Sequence, residues 1–275
     1  MGLKIILYMI IMSLNITLDD IRPCLLNDNV MITLTNYGYI SYTRNMLKSL
    51  KPFDLDKKIF IICMDDKSAQ ELLLDGYHVY NMNASNFEHF IPWNTKGYDH
   101  ICYFKLVIIY QILLLSKNLL YIDGDIVFLK SPLQDLLTWQ ADTENEVWIQ
   151  NDGISNNNTT NVCAGYVFIK STETTIYLYN CLTDTAKARY KECTVHNNDQ
   201  TYFNIFIKPY CKMITLPLEH YPNGNIFYAY SEQLIKTAVM VHFNWIIGHA
   251  KIEKMKKHNL WLLTDEETSI EYKLA

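Results

Sequence analysis

The sequence predicts an α/β fold with a central, mostly parallel sheet flanked by helices. Two observations carry that expectation. Short β-branched apolar runs alternate with helix-period stretches through the first half of the chain. Polar or acidic residues also stand just after three of those runs, at Thr35-Asn36, Asp65-Asp66 and Asp123-Gly124-Asp125. Open α/β sheets bind ligands outside the carboxyl ends of their strands, so this convergence points to one site.

The elements follow in chain order. Residues 30–35 form the first strand and end at the turn Asn36-Tyr37-Gly38. A helix over 40–50 leads to a second buried strand over 58–64. A helix over 67–74 then leads to a third strand over 76–80. This β-α-β-α-β order needs crossover helices, and therefore a parallel sheet covered on both faces. The stretch 101–115 is apolar nearly all round and reads as a buried helix. A fourth strand over 119–122 runs into Asp123-Gly124-Asp125, and 126–129 continues extended to Ser131-Pro132. The second half mixes short strands (147–150, 164–169, 213–216, 238–243) with helices over 172–190 and 199–204. A basic helix over 251–258 closes the chain.

Residues 30–275 read as one domain, preceded by a lead-in over 1–29 that includes a signal or anchor candidate. The apolar run over 4–12 is too short to span a bilayer. It resembles the core of a signal peptide but lacks a small-x-small cleavage site, and it equally fits a peripheral element of the fold. Membrane association is expected only through these residues. The sequence leaves a secretory, Golgi-like setting and a cytoplasmic one both open. A net charge of −5 argues against a broad nucleic-acid footprint, and no nucleic-acid partner is expected. Seven cysteines with no CxxC pair exclude a zinc ribbon and give no dense disulfide framework.

Several motifs carry chemistry. Asp123 and Asp125, one residue apart on an extended strand, would point to the same side. Gly124 between them lets a ligand approach the backbone. Hard carboxylate oxygens suit Mg²⁺ or Mn²⁺. On the tripeptide alone, a solvated turn between two strands is the stronger reading; the apolar flanks favour the metal site, because two acids buried at a strand end are costly unless they bind something. His242, inside a β-branched run, can complete an Asp/Asp/His metal site, while Gly248 and Lys251 can bring an amide and a cation to a diphosphate. A core histidine and a helix-start lysine fit the same residues. Asp199 would cap the following helix locally, or stand with Gln200 beside a transferred sugar. Cys163-Ala164-Gly165 supplies small residues for a pocket floor or for tight sheet packing.

Taken in order, these pieces resemble a known family. They are Asn36-Tyr37-Gly38-Tyr39 with Asn45, Asp65 after a strand, Lys105 before Asp123-Gly124-Asp125, and Ser131-Pro132. Ala164-Gly165-Tyr166-Val167-Phe168, Asn198-Asp199-Gln200, Leu216-Pro217-Leu218, Pro222-Asn223-Gly224 and His242-Phe243-Asn244-Trp245 with Gly248, Lys251 and Trp261 follow. Residues 30–261 resemble the nucleotide-diphospho-sugar transferase family, which includes plant xylosyl- and arabinosyltransferases and is related to the glycogenin-like glycosyltransferases.

The resemblance implies a GT-A, Rossmann-like fold, a nucleoside-diphosphate sugar donor (UDP-linked most often), and a divalent cation, usually Mn²⁺ rather than Mg²⁺. It implies that Asp123, Asp125 and His242 hold the metal. Thr35, Asn36, Tyr39 and Asp65 would line the nucleotide pocket. Lys105 and Lys251 would neutralise phosphate, and Gly124, Gly165 and Gly248 would allow close approach. Asp199 and Gln200 would face the donor sugar as the catalytic pair. The implied reaction moves a hexose or pentose to a hydroxyl of a glycan, protein or small molecule, with retention of anomeric configuration. Two departures stand out: Cys163 occupies a place where the family usually has Asn, and the spacing from His242 to Gly248 and Lys251 is longer than in the glycogenin-like relatives. The residues also leave two alternatives, a metal-dependent nucleotidyltransferase and a non-catalytic sugar-nucleotide-binding protein. The first normally carries a Gly-rich, basic loop after strand one, and Asn36-Tyr37-Gly38-Tyr39 has one Gly and no Lys. The absence of G-x-G-x-x-G and G-x-x-x-x-G-K-[ST] disfavours a dehydrogenase and a P-loop enzyme.

Overall fold

The computed structural model describes residues 14–191 and 198–268. The apolar run over 4–12 lies outside the described residues. The chain enters through a short helix, α1 (Leu18–Ile21), closed by a capping box between Thr17 and Asp20. Leu14, Ile16, Ile21 and Cys24 are buried in the main core. The stretch read as an irregular lead-in is thus packed into the domain, because a local cap and four apolar anchors secure it.

Strand β1 (Asn29–Thr35) is followed by α2 (Ile40–Leu50), β2 (Ile59–Cys63), α3 (Asp66–Leu74) and β3 (His78–Asn81). Helix α4 (Lys96–Leu114) then leads to β4 (Asn118–Ile122). Strands β1 to β4 pair in parallel, as the alternation of strand and helix requires. Beyond β4 come β5 (Ile126–Phe128), α5 (Leu133–Ala141), β6 (Val147–Asn151), β7 (Val162–Ile169), α6 (Glu173–Tyr179) and α7 (Asp184–Lys191). The chain continues through α8 (Asp199–Tyr202), β8 (Met213–Leu216), α9 (Gly224–Thr237), β9 (Met240–His242) and α10 (Ala250–Lys257). The main sheet has seven strands in the order β3-β2-β1-β4-β7-β6-β8. Only the pairings of β7 with β4 and β6 are antiparallel.

Both faces of the sheet are covered. Val30 and Ile32 of β1 join the cluster under α4, with Phe104, Ile108 and Ile112. Met31, one residue out of phase, joins the opposite cluster with Met46, Leu47 and Leu72 of α2 and α3. This period-two split shows a strand buried on both sides, which is why β1 reads as a continuous apolar run. A third cluster, including Tyr42, Val127, Phe227, Phe243 and Met255, fastens β5, β9, α9 and α10 to α2. Among the described residues no helix is long and apolar enough to cross a membrane. The apolar helix α4 is buried instead.

Three differences from expectation have local causes. The helix expected over 172–190 is two helices, broken at Asn180-Cys181, where the Tyr103 hydroxyl donates to the Cys181 carbonyl at 2.7 Å. Helix α9, absent from the expected elements, starts at Gly224. Asn223 caps it, and a Cβ on Gly224 would lie 2.1 Å from the Asn244 carbonyl oxygen. Strands β5 and β9 leave the main sheet and pair with each other as a separate antiparallel ribbon.

Candidate functional site

At the end of β4 the chain turns tightly through Asp123-Gly124-Asp125, rather than staying extended as expected, and the Ile126 amide donates to the Asp123 carbonyl at 3.2 Å. The ribbon then sets the third group. Ile126 lies opposite His242, and the Phe243 amide donates to the Asp125 carbonyl at 3.1 Å. This register brings the His242 Nε2 to 3.2 Å from Asp125 Oδ1 and 3.8 Å from Asp123 Oδ2. One ligand atom from each of the three residues lies within 4.8 Å of the others.

Strand β7 shapes the floor. Ile149 of β6 pairs with Val167, but the next residue, Gln150, pairs with Cys163, so β7 bulges between. The bulged Gly165 carbonyl accepts the Asp123 amide at 2.7 Å. A Cβ on Gly165 would lie 2.4 Å from Asp123 Oδ2 and 2.4 Å from His242 Cε1. Only glycine leaves the cradle open. Two carboxylates and an imidazole nitrogen make a donor set that fits Mn²⁺ or Mg²⁺.

Two lysines balance the acids. Lys105 is almost fully buried. Its ammonium lies 2.7 Å from Asp199 Oδ2 and 3.5 Å from Asp123 Oδ1, and donates to the Ala164 carbonyl at 2.8 Å. Burial works against its charge, but Asp123 and Asp199 outweigh burial and hold its pKa well above the usual value. The phosphate role expected for Lys105 therefore meets a group already engaged by two carboxylates. Lys251 donates to Asp125 Oδ2. Burial alone would raise the Asp125 carboxyl, yet Lys251 and His242 hold it far below the usual carboxylate range. Burial likewise pulls the His242 imidazole down, but the Asp125 carboxylate, with Cys163 behind it, raises it well above its ordinary value.

A cleft of about 640 Å³ opens over this cluster. It is bordered by Thr35, Asn36, Tyr39, Lys105, Asp123, Gly124, Asp125, Gly165, Asp199, Gln200, His242, Gly248 and Lys251. It leaves out Asp65. That carboxylate is buried and accepts from the Tyr37 amide, the Ser68 amide and the Ser68 hydroxyl, each at 2.9 Å. Asp65 caps α3 and ties it to the loop after β1, so its oxygens are spent inside the protein. Asn36 is similar in part: its amide binds the carbonyls of Phe87 and His89, though it still borders the cleft. Asp199 is not the cap expected locally. Asn198 caps α8, which frees the Asp199 carboxylate for Lys105.

Sequence reasoning missed two polar residues here. Gln150 is fully buried, with Oε1 2.7 Å from His242 Nδ1. Asp152 accepts from Gln200 Nε2 at 2.9 Å, Trp245 Nε1 at 3.0 Å and Asn244 Nδ2 at 3.2 Å. Asp152 stands just after β6, as Asp123 stands just after β4, so the strand-end rule that singled out one could have singled out both. Nothing local marks Gln150, whose role comes from the fold.

Comparison with known proteins supplies an independent view. The profile of the nucleotide-diphospho-sugar transferase family matches residues 54–256. The UDP-galactose:fucoside alpha-3-galactosyltransferase of Dictyostelium discoideum is 24% identical over 301 residues, covering 89% of this chain and 44% of that protein. The UDP-D-xylose:L-fucose alpha-1,3-D-xylosyltransferase 3 of Arabidopsis thaliana is 23% identical, covering 87% and 68%. This chain therefore spans less than half the length of the Dictyostelium relative. The glycosyltransferase GlyE of Streptococcus pneumoniae TIGR4 superposes with a TM-score of 0.54 at 16% identity, covering 86% of this chain and 60% of that one. The bifunctional glycosyltransferase WbbM gives 0.54 at 15% identity, covering 89% and 51%. These likenesses show the fold.

Two substitutions test the assignment of parts. Asp65→Ala leaves buried donors unpaired and removes a cap, so urea unfolding should show a loss of about 3 kcal/mol. UDP affinity of the folded variant should stay unchanged, and a parallel loss of affinity would return Asp65 to the site. Gly165→Ala forces Asp123 and His242 apart. Calorimetry should show Mn²⁺ binding lost while circular dichroism stays native, and intact binding would contradict the cradle.

Proposed function

The chain belongs to the nucleotide-diphospho-sugar transferase family, and from that premise we propose that it moves a sugar from a UDP-sugar to an acceptor hydroxyl with the help of a divalent cation. One observation carries this reading: Asp123, Asp125 and His242 converge under the same cleft that holds Tyr39 and Lys251. In this reading the domain, with the packed lead-in from Leu14 onward, acts as one catalytic unit, and the three converging side chains hold Mn²⁺ or Mg²⁺. When bound, the cation supplies Lewis acidity to the departing nucleoside diphosphate.

The chain's own groups do the rest. Thr35, Asn36 and the flat ring of Tyr39, whose hydroxyl is tied to the Ile91 carbonyl at 2.6 Å, form the nucleoside end. Lys251, on the far oxygen of Asp125 and at the edge of the cleft, is the positive charge offered to the diphosphate. Gly248, at φ +59° with nothing near a Cβ position, keeps the adjoining backbone open. The Lys105–Asp199 pair is a fixed wall beside the sugar. Gln200 gives its amide nitrogen to Asp152, so its amide oxygen is the dipole offered to the positive charge that develops at the anomeric carbon.

The same reading extends to stereochemistry and acceptor. The Dictyostelium and Arabidopsis relatives carry α linkages in their names, and UDP-sugars of galactose and xylose are α-linked donors. Retention follows. The acceptor hydroxyl attacks from the leaving-group face, its oxygen bonds to the anomeric carbon as the carbon–phosphate oxygen bond breaks, and a diphosphate oxygen takes the proton. Both relatives name fucose or a fucoside as acceptor, which makes a fucoside the first acceptor to test.

Incubation with UDP-galactose or UDP-xylose, an aryl α-L-fucoside and Mn²⁺ should release UDP and yield an α-linked product by NMR. Asp125→Asn should lower UDP release by about 100-fold or more, the scale of losing a main electrostatic contributor. Activity unchanged in that variant, or insensitive to chelator, would contradict the cation-dependent reading.

A further inference from the structure

We propose that Gln150 is a positioning residue that decides which nitrogen of His242 is offered to the cation. The proposal rests on the reading of Asp123, Asp125 and His242 as cation ligands. An imidazole can serve as a ligand through Nε2 only if that nitrogen has a free lone pair, and the tautomer is set by the partner of the other nitrogen.

The orientation of the Gln150 amide is forced from outside the site. Its Nε2 donates to the Tyr221 carbonyl at 3.2 Å and to the Pro222 carbonyl at 3.1 Å. Carbonyl oxygens only accept, so a flipped amide would set oxygen against two oxygens in a fully buried pocket. Oε1 must therefore face His242 Nδ1, which lies 2.7 Å away. An oxygen there accepts, so Nδ1 carries a hydrogen and Nε2 is the nitrogen left for the cation; Nε2 lies 3.2 Å from Asp125 Oδ1, which only accepts, so it holds a proton that an arriving cation would displace. The Cys163 sulfur, 3.6 Å from Nδ1, is a weaker and more distant partner. The Pro222 carbonyl that holds Gln150 also accepts the His242 backbone amide at 3.2 Å, so ring and backbone are registered to the same segment. Gln150 stands opposite the β7 bulge, where the pairing register shifts.

Two variants separate positioning from mere support. Gln150→Glu keeps an acceptor for Nδ1 but loses both donors to Tyr221 and Pro222. Gln150→Leu loses both. Mn²⁺ affinity, read by electron paramagnetic resonance on the purified chain, should fall about 10- to 100-fold in Gln150→Leu and stay within about threefold of wild type in Gln150→Glu. Metal-free Tm should fall in both, at least as far in Gln150→Glu. Affinities that simply track Tm, or a Gln150→Leu chain that binds Mn²⁺ like wild type, would overturn the proposal while leaving the three ligands standing. A wild-type chain that binds no Mn²⁺ would overturn the ligand reading and this proposal together.

Discussion

Charge balance in one poorly hydrated corner is the constraint on which the rest of the structure depends. Asp123, Asp125 and Asp199 meet there, and an unpaired buried carboxylate costs several kcal/mol. Lys105 answers Asp199 and the near oxygen of Asp123, while Lys251 and His242 answer Asp125. The pairing is uneven by design of the fold. The Asp125 side chain is 12% exposed and that of His242 3%, whereas Asp123 remains 34% exposed toward the cleft. The corner is therefore stable enough to fold, yet keeps acid oxygens facing the space where a cation and an anionic donor would arrive together.

Three backbone devices deliver those groups. The parallel half of the sheet ends β1 and β4 side by side, so the loops after them border one cleft. The β5–β9 ribbon reaches across the chain to set His242 opposite Ile126. The β7 bulge brings Gly165 under the cluster, with the Ala164 carbonyl toward Lys105 and the Gly165 carbonyl toward the Asp123 amide. The ribbon and the bulge are departures from regular sheet pairing, and both fall at the site. Such irregularities are where a fold re-aims side chains.

The parallel half was legible because its strands are buried on both faces and leave continuous apolar runs, as residues 59–63 do in β2. The acids of Asp123-Gly124-Asp125 were legible because two carboxylates flanked by apolar residues stand out chemically. Asp65 looked the same by that criterion and belongs to a helix cap, since a strand-end acid serves a cap as well as a ligand and only the loop geometry separates them. Helix α9 went unread although Asn223, ahead of Gly224, is an N-cap signal. Asp152 carried the same strand-end signal as Asp123, whereas Gln150 was invisible because its partner His242 lies 92 positions away in sequence. Pairing across that distance is a property of the sheet order and the bulge, neither of which local pattern encodes.

The central claim is that two acids and one imidazole share a cation that grips a nucleoside diphosphate. Anomalous diffraction from crystals grown with Mn²⁺ and UDP tests it most directly. The account predicts a manganese peak bounded by Asp123, Asp125 and His242, with the diphosphate on its open side and the uridine toward Thr35 and Tyr39. Manganese bound elsewhere, or UDP seated in the cleft without manganese at those three residues, would contradict it.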